Sequence, residues 1–328
     1  MENLNIALVT GGYSAEREIS IKSAKNVFSA IENRYSNVFW IELNSPKEWI
    51  CKYQNKSYPI DKNDFNFSID NQKIKIDFAL VILHGTPAED GLLSAYFDLI
   101  ELPYSCCNSL ASQVTFNKAS TIRFAKALDI PCANSVEFSK SDFDENETYN
   151  FKLKYPLFVK ACRSGSSFGV QKVHQASELN TALKSALEFD NQLLIEEGLR
   201  GLELTCGVFE TEKGIQAIAV TEIQTDQDFF DYEAKYEGKS QEITPARISD
   251  YVQKQVEALS KSIYKNFDLS GVCRVDYMIG KTELYLIEIN TIPGLTNESF
   301  IPQQVAYRGW DLGAFFEEII RFSMQQKP

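Results

Sequence analysis

Four polar residues alternate with apolar ones in two consecutive stretches near the carboxyl end of the chain: Arg274, Asp276, Glu288 and Asn290. Both stretches, 272–279 and 283–289, have the period of two that is typical of β-strands. In an antiparallel hairpin centred near Thr282, facing residues have a constant sum of residue numbers, so Asp276 faces Glu288. Arg274 faces Asn290 by the same rule. The spacing therefore predicts that all four side chains share one face of a hairpin.

This face could bind a metal ion. Two carboxylates that face each other repel, so the arrangement makes most sense if a cation lies between them. Asp, Glu and Asn offer only oxygen ligands, which suit a hard ion such as Mg²⁺ that keeps waters and takes further ligands from phosphates. The alternative is an ordinary solvated face of the hairpin. The hairpin residues alone leave both interpretations open.

A second group of residues could hold phosphate. The glycine- and serine-rich loop Gly165–Gly169 lies between two short predicted strands, and Lys160 ends the first of them. Its backbone N–H groups and hydroxyls could surround phosphate oxygens, although an ordinary hairpin turn is the alternative. A classical P-loop is excluded, because no G-x-x-x-x-G-K-[ST] pattern occurs in the chain. Taken singly, Lys118 and Glu196 also fit exposed surface positions.

The elements that would position these residues are those of an α/β protein. Asn5–Thr10 and Phe78–Leu83 are apolar runs of the parallel-strand type. The first leads through a glycine turn into a helix with Ser14 as expected N-cap and Glu16 in its first turn. The second delivers His84 to the carboxyl end of a strand, where open α/β sheets bind ligands, although a structural hydrogen-bonding role is the alternative. The missing G-x-G-x-x-G pattern disfavours dinucleotide binding.

Two longer segments fall outside this alternation. The segment 44–75 is polar with scattered aromatic residues and is expected to form small hairpins, with no chemistry assigned to it. The segment 226–240 has no clear period and many charged and aromatic residues. Long irregular segments within compact domains are often functional, so it is expected to be a lid.

Composition narrows the classes of partner. The chain has 328 residues, enough for two or three domains, and a formal net charge of −12. This charge argues against a nucleic-acid backbone or an anionic membrane as partner. The seven cysteines are odd in number and form no C-x-x-C pair, which favours a reducing compartment. The longest apolar run, 78–83, is too short to cross a bilayer, and the first residues lack the pattern of a secretory leader. We therefore expect a soluble, cytoplasmic protein.

Specific motifs follow one another in a recognisable order: GGYSAEREIS at 11–20, HGTPAEDG at 84–91, KACRSGSSFGV at 160–170, DYEAKY at 231–236 and EINTIPGLTNES at 288–299. In these motifs the chain resembles the ATP-grasp enzymes and, among them, the D-alanine–D-alanine ligase family. The resemblance covers nearly the full length apart from 44–75. It implies an α/β ATP-grasp fold with α+β lobes. An amino-terminal Rossmann-like domain (1–106) would precede a small central lobe (107–200) and a larger carboxyl-terminal lobe (201–328) that carries the lid and the metal site.

The resemblance also implies a reaction. Two molecules of D-alanine and ATP would give D-alanyl-D-alanine, ADP and phosphate through an acyl phosphate, for synthesis of a peptidoglycan precursor. ATP and Mg²⁺ would be required, with Mn²⁺ as a substitute for Mg²⁺. By analogy with the family, the chain would form a homodimer. The nearest rival is a ligase that joins D-alanine to D-lactate, and the intact Glu-Ala-Lys-Tyr at 233–236 favours the dipeptide enzyme. A catalytically silent ATP-binding relative is disfavoured because the metal face is complete.

Residue roles follow from matching motifs. Lys118, Lys160 and Lys235 would contact the ATP phosphates, beneath the loop that holds Gly165, Ser166 and Ser167. The resemblance assigns the adenine to Glu196 and the backbone of Glu197 and Leu199, the ribose to Glu203, and the metal to Asp276, Glu288 and Asn290. Several residues depart from the family pattern near the nucleotide: Ala161, Cys162, Ser164 and Gly198.

The substrate roles come from the same motifs. Glu16 would anchor the ammonium of the first D-alanine, with His84 near its carboxylate. Arg274 and the backbone N–H of Gly294 would stabilise the tetrahedral oxyanion, and Ser299 would bind the carboxylate of the second D-alanine. Ser166, Tyr236 and Glu16 resemble a hydrogen-bonded trio that links loop, lid and substrate site.

Overall fold

The amino-terminal part of the chain is built on a five-stranded sheet. In the computed structural model, residues 4–165, 168–225, 240–280 and 283–326 are described. The strands of this amino-terminal sheet are β1 (Asn5–Gly11), β2 (Asn37–Leu43), β3 (Trp49–Tyr53), β4 (Lys56–Pro59) and β7 (Phe78–Val81), in the order β4-β3-β2-β1-β7. Strand β1 lies between β2 and β7 and is parallel to both, as the apolar runs predict. A separate hairpin joins β5 (Phe67–Ile69) to β6 (Gln72–Ile74), so the small hairpins expected in 44–75 are confirmed.

Helix α1 (Arg17–Ile31) follows β1, and α2 (Leu92–Leu99) follows β7. The predicted N-cap is wrong, because α1 begins at Arg17 with Glu16 as its N-cap. The reason is local: the Ser14 hydroxyl accepts a hydrogen bond from the Glu16 N–H at 3.2 Å in the turn that precedes the helix. Glu16 therefore lies at the very start of α1, not within its first turn.

The central part of the chain forms an antiparallel four-stranded sheet. Its strands are β8 (Ser135–Ser139), β9 (Leu157–Ala161), β10 (Val170–Val173) and β11 (Gln192–Glu197), in the order β10-β9-β11-β8. Helices α3 (Ser109–Phe116) and α4 (Lys118–Ala127) precede the sheet, and α5 (Leu179–Ala186) packs on it. Lys160 faces Val170 across β9 and β10, so the glycine loop joins two adjacent antiparallel strands.

The carboxyl-terminal sheet is also antiparallel. It contains β12 (Leu202–Thr211), β13 (Gly214–Thr225), β14 (Ser240–Ile243), β15 (Val272–Ile279) and β16 (Leu284–Asn290), in the order β14-β13-β12-β15-β16. Helix α6 (Asp250–Asn266) packs against it, and α7 (Phe300–Tyr307) and α8 (Leu312–Gln326) end the described chain. No helix in the described ranges is long and apolar enough to cross a membrane.

The register predicted for the β15–β16 hairpin is confirmed. Asp276 faces Glu288, and Arg274 faces Asn290. A bulge follows, because Tyr277 faces Leu286 and leaves Ile287 as the extra residue on β16. The bulge lies directly beside the carboxylate pair, on the side towards the turn.

One apolar cluster joins the first and last sheets. Ile6 and Leu8 of β1 and Val27 of α1 pack together with Ile301 of α7 and Phe316 of α8. All of these side chains are buried, and full burial of each contributes on the order of 1.5–3 kcal/mol. The shared core fixes the carboxyl end of β1 next to the segment between β16 and α7.

Candidate active site

A cavity of about 950 Å³ lies where the three sheets converge. It brings together the following sequence-predicted residues: Glu16, His84, Lys118, Lys160, Gly165, Glu196, Arg274, Glu288, Asn290, Gly294 and Ser299. Asp276 lies beneath its wall and is buried. Glu197, Leu199 and Glu203 are absent from its lining. Four further predicted site residues lie outside the described residues: Ser166, Ser167, Lys235 and Tyr236.

Asp276 is the centre of the polar face on β15 and β16. Its carboxylate accepts hydrogen bonds from Arg274 Nε at 2.9 Å, Arg274 Nη2 at 2.7 Å and Asn290 Nδ2 at 3.0 Å. Thr205 of β12 adds a fourth bond at 2.5 Å. Arg274 Nη2 also lies 3.9 Å from Glu288 Oε1. The cation expected between the facing carboxylates is therefore supplied, in this structure, by the arginine of the same face.

The donor atoms of this face still fit a magnesium ion. Glu288 is 31% exposed on the cavity wall, and Asn290 directs its amide nitrogen to Asp276. Among the residues that the structure describes, no cluster of three or more His, Cys, Asp or Glu side chains could hold a metal on its own. Two carboxylates and one amide suit an ion that keeps waters and takes phosphate oxygens as its remaining ligands.

Two lysines, Lys118 and Lys160, also line the cavity. Lys160 Nζ lies 2.5 Å from Glu196 Oε2, and both side chains are largely buried. Burial opposes the charge on Lys160, but the nearby carboxylates, chiefly that of Glu196, outweigh it and raise the pKa of Lys160 above its ordinary value. Lys118, the first residue of α4, donates from Nζ to the Ser164 carbonyl at 2.5 Å. The Lys118 ammonium group thus lies beside the start of the glycine loop, and that of Lys160 lies beside Glu196 of β11.

The glycine loop reaches across to the first helix. A Cβ placed on Gly165 would lie 2.5 Å from Glu16 Oε2, so a larger residue there would require the Glu16 carboxylate to move. Ser164, one of the residues that depart from the family pattern, donates its hydroxyl to the Phe168 carbonyl at 2.8 Å. The loop is therefore tied to itself, to Lys118 and to the neighbourhood of Glu16.

A second carboxylate, Glu89, accompanies Glu16 on the cavity wall. The Gly85 N–H donates to Glu89 Oε2 at 3.1 Å. Burial, and next the like charge of Glu16, raise the pKa of Glu89 to about 8. The sequence reasoning missed this residue, although it stands in the HGTPAEDG motif, only five residues after His84. An acidic residue so close to a strand end that binds ligands was the available signal.

His84 is buried, and both of its ring nitrogens have partners. Nδ1 lies 2.8 Å from the Ile292 carbonyl, and Nε2 lies 3.2 Å from Ser23 Oγ. Burial lowers the pKa of His84 below its ordinary value, against the opposing charge of Glu16. The ring is therefore neutral at pH 7 and binds the segment that leads to Gly294.

Gly294 and Ser299 lie side by side at the start of α7. A Cβ on Gly294 would lie 2.9 Å from Ser299 Oγ. Ser299 is the N-cap residue of α7, and its Oγ accepts the Thr296 N–H at 3.1 Å. A helix N-terminus with a hydroxyl beside it is suited to a carboxylate.

Both halves of the chain match one family. Residues 5–107 match the family model described as "D-ala D-ala ligase N-terminus", and residues 124–321 match "D-ala D-ala ligase C-terminus". The chain belongs to the D-alanine–D-alanine ligase family. This membership confirms the resemblance seen in the motifs and leaves the segment 44–75, with its hairpins, inside the region matched by the amino-terminal model.

The chain is similar to individual D-alanine–D-alanine ligases, and to a related ligase, over nearly its whole length. The chain is 42% identical to the D-alanine–D-alanine ligase of Flavobacterium johnsoniae, over 98% of this chain and 99% of that protein. The structure is similar to the VanG D-Ala:D-Ser ligase of Enterococcus faecalis, with a TM-score of 0.84, 30% identity and coverage of 98% and 99%. It is also similar to the Bacillus anthracis D-alanine–D-alanine ligase complexed with ATP, with a TM-score of 0.77, 26% identity and 98% coverage of both chains. The predicted ATP-grasp fold is confirmed by these neighbours.

Proposed function

We propose that the protein joins two molecules of D-alanine to D-alanyl-D-alanine, converts ATP to ADP and phosphate in the reaction, and so supplies a peptidoglycan precursor. One observation supports this proposal: a single cavity is lined by Lys118 and Lys160, by Glu288 and Asn290 of the β15–β16 face, and by Glu16 and Ser299. Phosphoryl transfer and amide formation can then take place without release of an intermediate.

The nucleotide would lie against the central sheet. Lys118 and Lys160 are placed to neutralise phosphate oxygens, while Glu196 and the backbone at Glu197 and Leu199 would bind the adenine and Glu203 the ribose. Asp276, Glu288 and Asn290 would hold Mg²⁺, for which Mn²⁺ could substitute. The bound ion supplies charge neutralisation on the phosphates. Because Arg274 now binds Asp276, it would have to share that carboxylate when the metal binds.

The substrates would occupy the opposite end of the cavity. Glu16, with Glu89 beside it, would hold the first D-alanine by its ammonium group. The carboxylate oxygen of this first D-alanine attacks the γ-phosphorus of ATP. ADP leaves, and an acyl phosphate is formed. The amine of the second D-alanine, held through its carboxylate at Ser299, then attacks the acyl carbon. Arg274 and the Gly294 N–H would stabilise the oxyanion before phosphate leaves with the transferred oxygen.

The proposed function also includes a lid and three domains. The trio of Ser166, Tyr236 and Glu16, together with Ser167 and Lys235, would close the site and keep water from the acyl phosphate. The limits 1–106, 107–200 and 201–328 are supported by the three sheets, whose strands fall within these ranges one after another.

We also propose a cytoplasmic homodimer. Leu92 and Leu99 lie seven residues apart on α2 and therefore share one face of it, and they are 61% and 84% exposed. Large apolar side chains exposed together on one helix face suit a protein contact, and a second copy of the chain is the partner that the family analogy favours. The cytoplasm is favoured because its reducing conditions suit the seven cysteines, all of which are free thiols in the structure.

The experiment that tests the activity is phosphate release from ATP and Mg²⁺ with D-alanine, followed by mass identification of the product. Parallel reactions contain L-alanine, D-alanine with D-serine, or D-alanine with D-lactate. The expected result is phosphate release that requires D-alanine and yields the D-alanyl-D-alanine dipeptide as the main product. Turnover only with another acceptor would move the substrate assignment, and no turnover with any pair would overturn the proposed function.

A further inference from the structure

Three side chains of the amino-terminal part of the chain bind the backbone of the segment that contains Gly294. Ser23 Oγ accepts the Leu295 N–H at 3.2 Å, and Asn26 Nδ2 donates to the Leu295 carbonyl at 2.8 Å. His84 Nδ1 lies 2.8 Å from the Ile292 carbonyl. We call Ser23, Asn26 and His84 the interdomain clamp. It spans more than 200 residues of sequence and binds the peptide units 292–293 and 294–295, which lie immediately before and after the unit that carries the Gly294 N–H.

The directions of these hydrogen bonds follow from the one group whose role is fixed, the Ile292 carbonyl. The Ile292 carbonyl can only accept, so His84 Nδ1 carries the hydrogen. In the neutral ring Nε2 is then an acceptor, and Ser23, 3.2 Å away, donates its hydroxyl to it. This leaves an oxygen lone pair of Ser23 to accept the Leu295 N–H. The donors and acceptors among the His84 ring, the Ser23 hydroxyl and the Leu295 N–H can therefore be assigned in only one way.

Ser23, His84 and Leu295, the residues at the centre of the clamp, are buried. Ser23 and Leu295 are 0% and 1% exposed, and His84 is 5% exposed. In such surroundings a hydrogen bond is directional and costly to lose, because an unpaired N–H has no water to turn to. The backbone at Leu295 is consequently held in one orientation.

Holding the two lobes together does not require the clamp. The buried apolar cluster that contains Leu295, Ile301 and Phe316 already joins the carboxyl-terminal helices to β1 and α1. Apolar contacts are not directional, whereas the clamp fixes both the N–H and the carbonyl of Leu295. The polar bonds thus add orientation to contacts that already supply cohesion.

We propose that Ser23, Asn26 and His84 are positioning residues that aim the Gly294 N–H at the oxyanion of the tetrahedral intermediate. The proposal rests on the proposed ligase function. Because Glu16 is the N-cap residue of α1, one helix would hold the first substrate at its start and the oxyanion donor through its second and third turns. The distance between ammonium anchor and donor is then set by a single element.

The test uses Ser23→Ala and Asn26→Asp in the full chain, with Asn33→Asp as the control. Asn26→Asp keeps the shape but replaces the N–H donor with an oxygen that repels the Leu295 carbonyl. Asn33 is exposed just beyond the end of α1 and undergoes the same chemical change. We expect kcat to fall about 10- to 100-fold in each clamp variant, with the KM for ATP changed less than about twofold.

Two further readouts separate positioning from general damage. Amide hydrogen exchange in a peptide covering 291–299, measured without substrates, should be faster in both clamp variants and unchanged in the control. The double variant should lose less than the product of the single effects, because both changes release the backbone of the same residue, Leu295.

Faster exchange with kcat within about twofold of the unchanged protein would overturn the proposal, and so would a rise in the KM for ATP equal to the loss in kcat. If Ser23→Ala does not fold, Asn26→Asp decides alone, since Asn26 is only partly buried. An unchanged protein that makes no dipeptide would refute the proposed function instead, and unaltered exchange in Asn26→Asp would refute the clamp itself.

Discussion

At the scale of single residues, Arg274 determines how the two carboxylates of the β15–β16 face are arranged. It binds Asp276 through two nitrogens and leaves Glu288 as the carboxylate that reaches the cavity wall. Sequence reasoning placed all four residues on one face because strand period and turn position are local properties. It did not predict that the arginine would neutralise the aspartate, because that choice depends on the Thr205 and Asn290 side chains around it.

Glu288→Gln should abolish turnover while leaving the fold intact. The substitution keeps the side chain's size but removes the charge that the proposed Mg²⁺ needs, so we expect dipeptide synthesis to fall at least about 100-fold. The melting temperature should shift little, because the side chain is partly exposed. Glu283→Gln on the same hairpin is the control, since Glu283 is exposed to solvent. A Glu288→Gln variant that retains turnover within a few-fold would remove Glu288 from the metal site.

Glu89 should give the enzyme a rise in activity with pH. With a pKa of about 8, its carboxyl is mostly protonated at pH 7 and becomes charged as the pH rises through 8. The charged form attracts the substrate ammonium, so kcat/KM for D-alanine should increase through this range. Glu89→Gln should resemble the unchanged protein at pH 7 and lose the rise.

The pH profile needs a control that changes the same chemistry elsewhere. Glu101 is exposed beyond the end of α2, and Glu101→Gln should keep the full rise. An identical profile in Glu89→Gln and the unchanged protein would show that another group titrates.

At the scale of secondary-structure elements, sequence patterns predict some features and not others. Parallel strands β1 and β7 and the hairpin of β15 and β16 follow from apolar runs and alternation. The bulge after Asp276 could not be predicted, because it changes the register by one residue without changing the local pattern. The interdomain clamp was also out of reach, since Ser23 and Asn26 read simply as polar positions on an amphipathic helix and their partner lies about 270 residues away.

One glycine lies at a close backbone contact between the amino-terminal and carboxyl-terminal parts of the chain. Gly271, just before β15, has φ +70°, and a Cβ there would lie 1.9 Å from the Ser105 carbonyl oxygen. Gly271→Ala should therefore destabilise the protein by more than about 1 kcal/mol through backbone strain and steric clash together. A thermal unfolding scan at fixed protein concentration measures the effect.

Gly309→Ala is the matched control for this substitution. Gly309 has φ +69°, and nothing lies within 4 Å of the position where its Cβ would stand. Its substitution adds the backbone strain without the clash, so the loss of melting temperature should be clearly smaller. Equal losses in the two variants would show that the contact with Ser105 contributes nothing.

The whole molecule depends on contacts that cross the limits suggested by family resemblance. The carboxyl-terminal helices α7 and α8 share a core with β1 and α1, so the first and last parts of the chain are packed as one body. The motif order predicted which residues would meet, and the cavity brings most of the described ones together. The packing that makes them meet involves residues far apart in sequence and has no local signature.

Assembly is testable through the exposed face of α2. Leu99→Glu should convert a dimer to a monomer in sedimentation experiments, because a charge within an apolar contact loses its hydration without gaining a partner. Tyr251→Glu on α6 is the control, since Tyr251 is similarly exposed, at 71% compared with 84% for Leu99. A dimer that survives Leu99→Glu would place the interface elsewhere, and an unchanged protein that is monomeric would refute the proposed homodimer.

Transfer of a substrate oxygen to phosphate is the most direct test of the central claim that the cavity forms an acyl phosphate. D-Alanine labelled with ¹⁸O in its carboxylate is incubated with the protein, ATP and Mg²⁺, and the released phosphate and nucleotide are examined by mass. We predict one ¹⁸O atom in each phosphate and none in the nucleotide, because the attacking carboxylate oxygen leaves with phosphorus. Dipeptide formed with unlabelled phosphate, or with the label in a nucleotide monophosphate, would contradict it.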